Sequence, residues 1–87
     1  MHDLKLVIIA KDKIAYEGEA DSVFVPTQTG IIEILPTHMQ LVSALSGGEI
    51  IVKKADKEIK FKVTGGVLEI RPKSNVVILA DIVSQQS

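Results

Sequence analysis

The chain has 87 residues, no cysteine and a formal net charge of −1, with 46% apolar but only 3% aromatic residues. The missing cysteine excludes a disulfide framework and a thiolate metal site, and it fits a reducing, cytoplasmic compartment. No basic excess and few rings argue against a nucleic-acid surface, which needs cations for phosphates and aromatics for stacking. The apolar content is therefore mostly Val, Ile and Leu, whose β-branched members favour pleated sheet. No apolar run approaches the ~18 residues that span a bilayer. Asp3 and Lys5 interrupt any signal-peptide pattern at the start.

Leu4, Leu6, Ile8 and Ala10 share one face of an opening strand, and Val7 and Ile9 make its other face apolar as well. Lys11-Asp12-Lys13 turns the chain into a returning strand over Ile14–Glu19, where Gly18 suggests a bulge or a close backbone approach. Ser22–Pro26 is a short strand, with the donorless proline at its end or on an edge. Gln28-Thr29-Gly30 turns again, and Ile31–Leu35 runs extended into Pro36. Leu41–Leu45 is read as a strand, ended by Ser46-Gly47-Gly48.

The second half is more regular. Glu49–Lys54 and Lys57–Val63 flank the turn Ala55-Asp56, and in the latter Ile59, Phe61 and Val63 alternate with Glu58, Lys60 and Lys62. Val67–Arg71 and Asn75–Asp81 flank Pro72-Lys73-Ser74, and Val76 to Ala80 is apolar on both faces. Turns recurring about every 8–9 residues have the spacing of a sandwich or barrel. The expected architecture is all-β: one flattened two-sheet sandwich over residues 1–83, of eight to ten short strands, with a polar coil tail over 84–87.

Catalytic signatures are sparse. No P-loop is present, and His2 and His38 lack metal-ligand spacing. His38, Ser43 and Glu33 supply the residue types of a hydrolytic triad, but a triad is recognised by geometry in space rather than nearness in sequence. The reading is therefore non-catalytic, with no cofactor and no metal. Gly47-Gly48 and Gly65-Gly66 precede no helix, so they are turns rather than phosphate cradles. Lys53, Lys54, Lys57, Lys60 and Lys62 alternate with acids and read as a solvated strand face.

The distinctive stretch is Gly30–Leu45, whose one formal charge is Glu33. Together with two strands apolar on both faces, it offers more apolar side chains than one small interior can hold. Some must stay exposed, which marks a partner surface. From the residues alone this is a small β-sandwich interaction module. The alternative within that class is a free-standing adaptor that binds an extended peptide by strand addition.

Asp21-Ser22-Val23, Pro26, Gly30 and Leu35-Pro36-Thr37-His38 with Leu41 and Leu45 resemble the "GxxGxLPxHxPLLxxL" region of the epsilon-subunit family of F-type ATP synthases (delta in mitochondria). Gly65–Ile70 and Asn75–Asp81 resemble its "SGGFLEV…NxVxVLAD" region, so the likeness runs over residues 4–81. The resemblance implies a sandwich of two five-stranded sheets at the foot of the rotating central stalk. It also implies binding to the gamma subunit and to the polar loops of the membrane proteolipid ring, with no direct lipid insertion. That placement is peripheral, on the cytoplasmic face of a bacterial inner membrane or its equivalent. The role implied is non-catalytic coupling of rotation.

By the same resemblance, Ala10, His38 and Ser43 match positions that face gamma, with Met39 expected beside them if it is exposed, while Gln28, Thr29, Gly30, Ile31 and Glu33 belong to the turn that matches the loop reaching the ring. Glu33 stands where the family usually has glycine, and Ile31 where it has an acid; Thr37 and Gln40 replace a glycine and a proline. Many members continue into a two-helix hairpin that binds ATP or inhibits hydrolysis. This sequence stops six residues after Asp81, so if that length is natural no arm and no nucleotide binding are expected.

Overall fold

A computed structural model describes residues 3–11, 13–36, 39–81 and 83–86. They form ten strands: β1 (Leu4–Ala10), β2 (Lys13–Ala20), β3 (Ser22–Thr27), β4 (Gly30–Ile34), β5 (Leu41–Leu45), β6 (Gly48–Lys54), β7 (Lys57–Val63), β8 (Gly66–Arg71), β9 (Asn75–Ala80) and β10 (Val83–Gln86). Hydrogen bonds link them in the order β10-β7-β6-β3-β5-β8-β9-β1-β2, with β4 on the other edge of β3. A single pair, Thr27↔Leu45, joins β3 to β5. The path folds over at that joint into two layers of five strands, β4-β3-β6-β7-β10 and β5-β8-β9-β1-β2.

The core lies between the layers. Leu4, Leu6 and Ile8 of β1, Leu68 of β8 and Val76 and Ile78 of β9 meet Val23, Val25, Ile50, Val52 and Phe61 from the facing layer. Tyr16 on β2 packs edge-on against Phe61 on β7, with ring centroids 6.1 Å apart. Burying a Leu, Ile, Val or Phe stabilises by about 1.5–3 kcal/mol each, and this single interior holds the two sheets together.

Pro26 sits where β3 changes partner. β6 pairs with Ser22 to Phe24, and beyond it the Pro26 carbonyl accepts from the Ser46 amide at 3.0 Å. In an extended residue the nitrogen points to the same side as the carbonyl, so the donorless nitrogen falls at the step between β6 and β5, where no ladder bond is required. The β6–β7 turn is tied from outside: the Ala55 amide donates to Asp21 Oδ2 at 2.7 Å, which steadies Ala55 at φ 55.

Two sequence expectations are corrected. Residues 84–86, read as coil, lie in β10 and pair antiparallel with β7 (Gln85↔Phe61, Gln86↔Lys60). A polar strand carries no alternation to read; it forms because the β7 edge otherwise leaves backbone donors and acceptors unpaired. The bulge is not at Gly18, which pairs with Leu6 in register. It lies between Ile8↔Tyr16 and Ile9↔Ile14, leaving Ala15 as the extra residue.

Candidate interaction surfaces

The Gly30–Leu45 stretch divides between core and surface along its length. Ile34 and Leu45 are buried and Ile32 and Leu41 pack against the core, whereas Ile31 is 74% exposed, Met39 60% and Leu35 54%. The surplus of apolar side chains expected from the sequence is thus real, and much of it is displayed around β4 and the start of β5.

The β3–β4 hairpin tip is braced from beneath. Thr27 is buried, and its Oγ1 donates to the Gly30 carbonyl at 2.6 Å while accepting from the Thr29 amide at 3.3 Å. Because that one hydroxyl proton is spent on Gly30, Thr29 Oγ1 is the donor in the 3.2 Å contact between the two threonines. Ser46 Oγ donates to the Thr27 carbonyl at 3.2 Å, tying the tip to the β5–β6 connection. Gln28, Thr29 and Gly30 are therefore presented outward on a supported turn. Ile31 pairs with Pro26 and Glu33 with Phe24 across the hairpin, and alternation puts both side chains on the outer face of this layer.

Glu33 has no hydrogen bond or ion pair among the described residues. Lys53, a cation on the same face, is engaged elsewhere: its Nζ lies 3.5 Å from Glu58 Oε2 and 4.9 Å from the Phe24 ring centroid. Lys60 shares the Glu33 row through Phe24 and Ile51, but with two strands between them. Glu33 also lines a groove of about 510 Å³ at the side of the sandwich, where β4 and β5 diverge. The other described walls include Leu35, Pro36, Met39, Leu41 and Ile70.

The residues expected to face gamma are spread more widely. Met39 leads into β5, and Ser43 lies on β5 opposite Leu68, half-buried at the layer's edge. Ala10 ends β1, and β8 and β9 lie between it and β5. His38 lies outside the described residues. Ser43 Oγ reaches only the neighbouring Ala44 carbonyl, at 3.4 Å, and it sits in the layer opposite to that of Glu33. Among the described residues no three His, Cys, Asp or Glu side chains come together as metal ligands, and no helix is long and apolar enough to cross a membrane.

One surface was not foreseen as a unit. Ile14, Ile9, Leu79, Val67 and Ala44 line up in register across all five strands of the second layer, on its outer face. Ile14 is 56% exposed, Leu79 49% and Val67 42%. The sequence signal was the two-faced apolar character of β1 and β9; the register that aligns the row was not readable.

A family model described as "ATP synthase, Delta/Epsilon chain, beta-sandwich domain" matches residues 3–86. The chain is similar to the "ATP synthase epsilon chain" of Leptospira borgpetersenii serovar Hardjo-bovis, 39% identical over 80 residues, which are 92% of this chain and 62% of that one. It is 41% identical over 81 residues to that of Dehalococcoides mccartyi, covering 93% of this chain and 57% of the relative. The chain therefore spans between 57% and 62% of the length of these relatives. Among solved structures, a chain of the Euglena gracilis mitochondrial ATP synthase superposes with a TM-score of 0.91 at 17% identity, over 98% of this chain and 54% of that one. A chain of the Tetrahymena thermophila mitochondrial ATP synthase central stalk and c-ring gives 0.76 at 13% identity, over 93% and 65%. At those identities the two structures speak to the fold.

Proposed function

The chain belongs to the β-sandwich family of ATP synthase delta and epsilon chains, and from that premise we propose that it is a non-catalytic rotor-stalk subunit of an F-type ATP synthase. Its task is to couple rotation between the membrane proteolipid ring and the gamma subunit. The observation that carries this reading is the display of Ile31, Leu35 and Met39 around a rigid double-layered core. A rotor part transmits torque only if it is stiff inside and adherent outside. A braced hairpin tip suits contact with the polar loops of the ring, and the Met39–Ser43 side suits contact with gamma. The protein is then peripheral to the membrane, on the cytoplasmic face in a bacterium and held through its complex.

The strand-addition adaptor has less support. Edge strand β2 carries the bulge at Ala15 and exposed Lys13, Glu17 and Glu19, devices that discourage pairing with a further strand. Gel filtration of the chain mixed with a cognate gamma subunit tests the rotor reading. Co-elution at micromolar concentration is expected, and separate elution of the two at that concentration would contradict it.

A further inference from the structure

The second layer is built from two antiparallel hairpins, β1–β2 and β8–β9, set side by side through the parallel pair β1 and β9, with β5 beyond β8. Strands in parallel pairing are ordinarily covered on both faces, which is why they read as continuous apolar runs. One face of β1 and β9 supplies the core, while on the other Val7, Ile9 and Val77 are partly buried and Leu79 is exposed. We propose that the cover is a second copy of this chain. Two free molecules pair through the outer faces of these layers, about a two-fold axis that runs along the strands between β1 and β9. The pairing concerns the free chain and does not rest on the rotor reading.

Such an axis lays the β1–β2 hairpin of each copy over the β8–β9 hairpin of the other, and the register fixes which side chains meet. In the row that crosses the layer at Ile9, Leu79 faces Ile9 and Val67 faces Ile14 of the other copy. In the next row Val77 faces Val7. The row beyond, in the order Glu19, Lys5, Asn75, Arg71, puts Arg71 opposite Glu19 and Asn75 opposite Lys5. Arg71 holds Glu69 at 3.1 Å through one amino group, and its fork keeps further donors for Glu19. The Asn75 amide donates to the Pro72 carbonyl at 2.8 Å, which leaves its oxygen to accept from Lys5. The same rotation sets Glu69 opposite Glu17, a repulsion that Arg71 offsets from the Glu69 side. Apolar on apolar and cation on anion under one rotation is what a self-complementary contact requires.

Size sets the strength. Four overlapping strands ~4.8 Å apart and three rows ~6.8 Å apart give a footprint of roughly 400 Å² per copy. A specific, stable interface buries about 800 Å² per partner, so the pairing is weak, with a dissociation constant on the order of 100 µM. It covers the face in concentrated free chain and yields to a tighter partner by mass action.

Sedimentation equilibrium of the full chain from about 10 µM to about 1 mM tests the pairing, with thermal melts to confirm that each variant folds. Wild type should pass from monomer to dimer across that range and go no further. Ile14→Glu, which sets a carboxylate opposite Val67, should raise the dissociation constant about tenfold or more. Glu19 is exposed, so Glu19→Arg spares the fold while setting like charges opposite each other, and it should raise the constant about fivefold. Adding Arg71→Glu to Glu19→Arg should return it to within about twofold of wild type. Wild type that stays monomeric at about 1 mM overturns the proposal and leaves the face to a different partner. So does a mass that grows past the dimer, which marks an open-ended contact. A dimer indifferent to both Ile14→Glu and Glu19→Arg uses another surface, and a double variant no tighter than Glu19→Arg alone has another orientation; either result overturns the pairing. If Ile14→Glu fails to fold, the charge swap still discriminates.

Discussion

Gly66→Ala should be among the most damaging single-methyl additions in this protein. Gly66 opens β8 at φ 142, paired with Ala80 on one side and Leu45 on the other. A Cβ built there would collide with the Leu79 carbonyl oxygen and stand 2.8 Å from Ala80 Cα. Both obstacles are backbone, so relief requires β9 to move away from β8. The unfavourable φ costs about 1–3 kcal/mol and the overpacking another ~1–3 kcal/mol, together about 4 kcal/mol. An 87-residue domain has a total stability of roughly 4–13 kcal/mol. The melting midpoint should then fall by roughly 15–30 °C, and urea unfolding followed by circular dichroism would read the change directly.

Two other glycines separate the causes. At Gly47 the added Cβ meets carbonyls at 3.7 Å, an ordinary contact, so Gly47→Ala should stay within about 0.5 kcal/mol of wild type. At Gly30, φ is 128 but the space is open, so Gly30→Ala should cost strain alone, about 1–2 kcal/mol. The ranking Gly66, Gly30, Gly47 is the prediction. Gly66→Ala within about 1 kcal/mol of wild type would refute the reasoning from backbone collision.

Two further substitutions probe the proposed contacts. Met39→Asp should leave folding stability within about 1 kcal/mol, because the side chain is more than half exposed. It should weaken gamma binding at least tenfold; loss of the folded state in thermal melts would make Met39 a core residue instead. Thr27→Val keeps the buried shape but removes all three bonds of the hydroxyl, costing about 1–3 kcal/mol. Faster amide exchange at Thr29, relative to that in β8 and β9, would show the tip loosening, and unchanged exchange would show that the hydroxyl does not brace it.

Much of the architecture was legible because it rests on local chemistry. Alternation of Ile59, Phe61 and Val63 with charged neighbours located β7, and Phe61 and Val63 are indeed buried while Lys60 and Lys62 are exposed. Turn residues placed most strand ends to within a residue or so. The unread features depend on partners distant in sequence. β10 is a strand only because β7 offers an edge, and the bulge at Ala15 follows from the β1 register rather than from Gly18. In the candidate site, exposure of Met39 followed from an excess of apolar residues over available core. That Glu33 and Met39 line one groove did not, because it depends on how β4 and β5 lie relative to each other.

Coupling requires that ring and gamma be held at once, by different parts of one rigid body. The most direct measurement is assembly of a ternary complex, with solubilised proteolipid ring and gamma mixed with and without this chain and the complexes sized by sedimentation. The expected result is a single species containing all three components, with far less gamma on the ring when the chain is omitted. If ring and gamma associate equally well without it, or if binding of one displaces the chain from the other, it is not the coupling element proposed here.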